Sequence, residues 1–238
     1  MKDILTEEEL IIEKKSIQYI KDNRKLIQEK FADINKYPSV KTPMSIFMAG
    51  SPGAGKTEFA YRYIKDFGKP IVHIDPDEIR KIVSSLFGSH NSTLLQRASA
   101  LGVEKVYDYV MNNNQDVILD GTLVDYNKAF INIERSIKRD RIVYVYYIYQ
   151  DPVVAWNFTK KREALEHRGI PKDFFIKAFF QAKENVNKLK IEFGKSLQLN
   201  LIIKDFENNS IKFELNIEKI DSFLKIIYTK EDLEKLLN

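Results

Sequence analysis

One eight-residue stretch limits the fold more than anything else in the chain. Gly50-Ser51-Pro52-Gly53-Ala54-Gly55-Lys56-Thr57 fits the pattern G-x-x-x-x-G-K-[ST]. Glycines at this spacing let successive backbone N–H groups turn inward around phosphate oxygens, where a Cβ would obstruct. A helix starting at the end of the loop presents its positive N-terminal end to the same anion. Lys56 is expected to reach the β- and γ-phosphates, and the Thr57 hydroxyl to ligate Mg²⁺. The flanks agree. Ile46, Phe47 and Met48 form the short apolar run of a buried parallel strand. Residues 57–67 hold no Gly or Pro and stop at Gly68, which predicts a helix. Strand, loop and helix follow in the order a phosphate-binding loop requires.

From residue 45 onward, apolar strand-like runs alternate with helical patterns, which predicts an α/β fold: a parallel sheet covered by helices on both faces. The runs at 71–75, 116–120, 142–149 and 199–205 are the further strands, and 211–215 pairs with the last of them as a hairpin. Residues 1–40 read as an N-terminal helical extension, leaving 41–238 as the main domain. Thr6-x-x-Glu9 is a capping box, and Leu10, Ile17, Ile20, Ile27 and Phe31 fall on one face at helical spacing, so a helix is expected over 7–31. It either packs on the domain's flank or acts as an arm that docks a partner or covers the site. Asp151-Pro152 starts the helix after the fourth strand, and Thr93-x-x-Gln96 caps a long helix before the third.

Composition narrows the setting. The 238 residues are 44% hydrophobic and 30% charged, as suits one globular domain with an appendage. The chain has no cysteine, which removes disulfides and thiolate metal sites. His73, His90 and His167 show no zinc-ligand spacing. The acidic start MKDILTEEEL lacks an apolar signal core, and no run approaches the ~20 apolar residues of a membrane span, so a cytoplasmic protein is expected. A net charge of +4 suits an anionic substrate without arguing for nucleic acid.

In open α/β sheets ligands bind beyond the carboxyl ends of the strands. Asp75 and Asp77 follow the second strand there, and Asp120, Gly121 and Thr122 follow the third. A carboxylate in that place can take the proton of an attacking hydroxyl or hold Mg²⁺. Asp75 is the expected general base. Asp77 reads equally as a chemical residue or as the cap of a helix starting at Glu78. Asp120 occupies the place of a metal-holding aspartate beside Thr57. Arg162 and Arg168, near Lys160 and Lys161, suit a lid that neutralises a transferring phosphoryl group.

Together GSPGAGKT, IDPD and LDGT resemble the zeta-toxin kinases, over roughly residues 45–171. The resemblance implies a P-loop kinase that moves the γ-phosphate of ATP or GTP, with Mg²⁺, to the sugar 3′-hydroxyl of UDP-N-acetylglucosamine. It implies Asp75 as base, Glu104 and Thr122 on the acceptor, Lys56 and Thr57 on nucleotide and metal with Asp120 near them, and Arg162 and Arg168 as lid arginines. Family members are held inactive by an antitoxin, some through a fused N-terminal helix, so the 7–31 helix is a candidate inhibitor. Asp120 stands where glutamate is common, and Val124 where a substrate-binding arginine is expected. A related reading, polynucleotide 5′-kinase or small-molecule kinase, rests on Asp77-x-x-Arg80, with Asp77 as base and Arg80 on the acceptor phosphate. A third is a nucleotide-dependent switch that binds a protein partner.

Overall fold

The computed structural model describes residues 6–88, 94–166, 169–206 and 210–237. Strand β1 (Met44–Ala49) is buried along its length at the centre of a six-stranded sheet of order β2-β3-β1-β4-β5-β6. Its neighbours are β3 (Val117–Leu119) and β4 (Ile142–Gln150), both parallel to it. Strand β2 (Val72–Ile74) lies outside β3, and β5 (Leu197–Asp205) outside β4, again parallel. Strand β6 (Ser210–Glu214) runs antiparallel on β5. The chain leaves β1 toward β2 on one side and reaches β4 on the other. The loop after β1 therefore opens at the sheet's switch point, where such folds bind ligands.

The two faces carry separate apolar clusters because successive strand residues point opposite ways. On one face Phe47, Val145, Tyr147 and Leu199 pack against α5 (Gln96–Asn112), α6 (Tyr126–Ile137) and α8 (Lys172–Phe193). On the other, Ile46, Met48, Ile118, Ile148 and Ile202 meet α3 (Lys56–Phe67). A third cluster joins Trp156 of α7 (Pro152–Glu166) and Phe175 of α8 to Leu233 of α9 (Lys230–Leu236). Helix α4 (Pro76–Phe87) joins β2 toward α5.

The N-terminal segment forms two helices rather than the single one expected. Helix α1 (Glu7–Asp22) opens with the Thr6–Glu9 capping box, and α2 (Arg24–Ala32) follows after Asn23. Asn23 caps α1: its backbone N–H and its Nδ2 both donate to the Tyr19 carbonyl, at 2.9 and 3.0 Å. Leu10 stays exposed, while Ile20, Ile27 and Ala32 are buried in the same cluster as β2, β3 and α5. Gln28 Nε2 donates to the Lys105 carbonyl of α5, and Gln115 Nε2 to the carbonyls of Ala32 and Tyr37. Both helices thus join the flank of the sheet through shared core and buried hydrogen bonds.

Candidate active site

The loop Gly50–Lys56 wraps the end of β1 as its glycines allow. Gly53 and Gly55 have φ of 73° and 79°, in the left-handed region. A Cβ on Gly53 would lie 2.1 Å from the Ala155 carbonyl oxygen, so α7 can press against the loop only because Gly53 has none. Lys56 Nζ donates to the carbonyls of Gly50 (3.2 Å) and Ser51 (2.7 Å), which sets the ammonium across the mouth of the loop. Burial lowers its pKa, against the opposing fields of Asp120, Glu58 and Asp77. The Gly50 N–H donates to the Thr122 carbonyl at 3.4 Å, so the segment after β3 is tied to the loop directly.

Thr57, at the start of α3, donates its hydroxyl to Asp120 Oδ2 at 2.7 Å. His73 Nε2 lies 3.6 Å from the same oxygen. Burial alone would raise Asp120, but His73, Lys56 and the Thr57 hydroxyl outweigh it and hold the carboxyl below its usual range. A hydroxyl and an ionised carboxylate beside a phosphate cradle are the hard oxygen donors Mg²⁺ takes. Among the described residues there is no cluster of three or more His, Asp or Glu able to hold a metal.

The structure corrects the capping alternative for the acidic pair after β2. Asp75, not Asp77, caps α4: Asp75 Oδ1 accepts the Asp77 N–H at 2.8 Å, with Pro76 in the first turn. Asp75 is 8% exposed, and burial pushes its carboxyl up, a shift the Asp77 N–H opposes and the charges of Asp77 and Asp120 reinforce. Asp77 lies two residues further on, its side chain 18% exposed. Its Oδ1 accepts from Arg80 Nη1, and its Oδ2 accepts from Arg162 Nη2 of α7 at 3.2 Å. Arg80 is held from behind by Gln96 Oε1 at 2.9 Å. One carboxylate thus joins the start of α4, the start of α5 and the lid helix.

Thr57, Lys56, Asp77, Arg80, Asp120, Thr122 and Arg162 therefore come together at one end of the sheet. Glu104 is exposed on α5, eight residues or about 12 Å along the helix from Gln96. Arg168, with the expected cap Thr93, lies outside the described residues. Three contacts escaped the sequence reading. Lys204, from the end of β5, rests on the loop: a Cβ on Gly55 would lie 2.0 Å from its Nζ. Asn185 of α8, 1% exposed, donates to the carbonyls of both Leu123 and Val124 at 2.8 Å. It fixes the segment after Thr122, where Leu123 has a φ of 54°. His73 is the third. Each comes from sequence far from the motifs it touches, so no local signal marks it.

A family model described as Zeta toxin matches residues 27–216. The chain belongs to the zeta toxin family. No curated protein sequence matches it significantly. Among solved structures it is similar to one from a study of the PezAT chromosomal toxin-antitoxin system of Streptococcus pneumoniae, with a TM-score of 0.63 and 18% identity over 99% of this chain and 89% of that one. It is also similar to a chain of the AvrRxo1-ORF1:-ORF2 complex with ATP, with a TM-score of 0.61 and 15% identity over 92% of this chain and 72% of that one. These likenesses carry the P-loop kinase fold. No helix among the described residues is long and apolar enough to cross a membrane.

Proposed function

We propose that this zeta-toxin-family chain is a kinase that transfers the γ-phosphate of ATP, or of GTP, to a hydroxyl of a nucleotide sugar, with the sugar 3′-hydroxyl of UDP-N-acetylglucosamine as the first acceptor to test. The observation that carries this is one carboxylate, Asp77, held between Arg80 and Arg162 beside the Lys56–Thr57–Asp120 cluster. A switch that only hydrolyses nucleotide needs no acceptor-side carboxylate gripped by two guanidinium groups. The family match and the ATP-bound neighbour support a nucleotide-dependent kinase.

Loop N–H groups and Lys56 bind the β- and γ-phosphates. Thr57 and Asp120 would hold Mg²⁺, which when bound neutralises charge between those phosphates. Arg162, on the lid helix, spreads charge on the moving phosphoryl group, and Arg168 has the same role by its place in the sequence. Asp77 accepts the hydroxyl proton late in the transfer. This moves the base from Asp75, whose Oδ1 is committed to capping α4. Arg80 suits an anionic group on the acceptor, and Thr122 its hydroxyls. Glu104 would contact the acceptor only if the acceptor extends along α5. The toxin-antitoxin setting of the PezAT neighbour supports a protein antitoxin as partner. We also infer that α1 and α2 belong to the kinase body rather than to a detachable inhibitor.

The test offers labelled ATP and Mg²⁺ with UDP-N-acetylglucosamine, other UDP-sugars and a 5′-hydroxyl oligonucleotide in parallel. Label on a UDP-sugar supports the proposal. Label on the oligonucleotide replaces it with polynucleotide kinase chemistry, and free phosphate alone with a hydrolytic switch.

A further inference from the structure

Among the described residues the sheet ends on β6, which is exposed from Ser210 through Phe213. Its far edge offers a row of backbone N–H and C=O groups, the usual template for another strand. The side chains along it are arranged in a palindrome. Ile211 and Phe213, 40% and 51% exposed, alternate onto the α3 side, where Phe213 meets Phe59 with ring centroids 6.5 Å apart, and Leu215, 64% exposed, follows the end of the strand. Lys212 and Glu214 point to the opposite side, their charged ends 2.7 Å apart.

We propose that β6 pairs antiparallel with β6 of a second copy of this chain, with the two-fold axis at Phe213, to give a continuous twelve-stranded sheet. That register sets Lys212 opposite Glu214 of the second copy and Glu214 opposite its Lys212. On the other face it sets Phe213 against Phe213 and Ile211 against Leu215. Both faces of the strand are thus self-complementary under the same symmetry, as an isologous contact requires. Opposite charges facing each other across strands favour that register, and a shift of two residues in either direction loses both pairs and sets like charges, Glu214 on Glu214 or Lys212 on Lys212, face to face. The P-loop strand lies three strands in, about 14 Å from this edge, so the pairing leaves the candidate active site open.

Sedimentation velocity from about 1 to 100 µM, a range that brackets a modest interface, tests this in the full chain. The wild type is expected to show a monomer–dimer equilibrium. Lys212→Glu alone sets Glu against Glu, and Glu214→Lys alone sets Lys against Lys. Each is expected to weaken the dimer by roughly tenfold or more. Mixing the two variants restores a heterodimer, and the double exchange restores a homodimer. The absence of native cysteine gives a second readout. Phe213→Cys is expected to form a disulfide-linked dimer under mild oxidation, whereas Ile211→Cys alone, four residues out of register with its own copy, is not. A monomer throughout the range, or a dimer indifferent to single charge reversal and to the position of the cysteine, overturns the proposal.

Discussion

Exchanging Asp77 and Asp75 one at a time for asparagine tests the proposal that Asp77 is the chemical carboxylate and Asp75 the structural one. Asp77→Asn keeps the shape but removes the proton acceptor and the charge that gathers Arg80 and Arg162. Loss of a positioned base costs about 10²- to 10⁴-fold in rate, or about 2.7–5.4 kcal/mol of barrier. The turnover number is expected to fall by that factor while ATP affinity changes little, because the loop and Lys56 are untouched. Asp75→Asn should behave otherwise. Its carbonyl oxygen can still accept the Asp77 N–H, and asparagine ranks with aspartate as a cap. Turnover is expected to stay within about threefold of wild type on that account. Asp75→Ala supplies the control, losing about 1 kcal/mol of stability with the cap. Initial rates with labelled ATP, ATP affinity by calorimetry and thermal melts read all three. If Asp75→Asn lost a hundredfold and Asp77→Asn did not, the assignment of the two carboxylates would be refuted.

Other perturbations have equally definite outcomes. Lys56→Ala is expected to abolish transfer with an unchanged melting temperature; substantial residual activity would contradict the P-loop assignment. Deleting residues 1–38 removes Ile20, Ile27 and Ala32 from the core, at about 1.5–3 kcal/mol for each isoleucine. The truncated chain should therefore be unstable or aggregated, and a folded, more active product would restore the inhibitory-arm reading. Asn185→Asp turns a donor to two carbonyls into an acceptor, so KM for the acceptor should rise several-fold more than KM for ATP, and equal effects on both would deny the positioning role. Asp120 titrates below its usual range when folded, so its contribution to stability is present above the unfolded value near 4 and is lost as pH falls through the lower folded value. The melting-temperature difference between wild type and Asp120→Asn should shrink on acidification through that window, and a constant difference would contradict the ion-pair account.

The parts legible in the sequence were those written locally. GSPGAGKT between an apolar run and a helical pattern was enough to locate loop, strand and helix, and alternating strands and helices were enough for the α/β sheet. The division between Asp75 and Asp77 was also written locally. Asp75-Pro76 has the same cap-then-proline form as Asp151-Pro152, where Asp151 Oδ1 accepts the Val153 and Val154 N–H groups. Placing the start of the helix at Glu78 rather than Pro76 hides it, because that start makes Asp77 the cap. The break at Asn23 was hidden because apolar spacing continues through it, while the backbone departs from helical angles at that one residue. The non-local contacts left no trace. Asn185 reaches a loop more than sixty residues earlier, and Arg141 is buried between Ser45, Met44 and Gln115. Such pairings arise only when the sheet order brings distant segments together.

The most direct measurement follows the γ-phosphate itself. Protein, Mg²⁺, γ-labelled ATP and UDP-N-acetylglucosamine are incubated together, and the products are separated and identified by mass, with Lys56→Ala alongside. The account predicts a singly phosphorylated UDP-sugar carrying the label, absent with Lys56→Ala. Label recovered only as free phosphate, or a labelled sugar formed equally by Lys56→Ala, would contradict it.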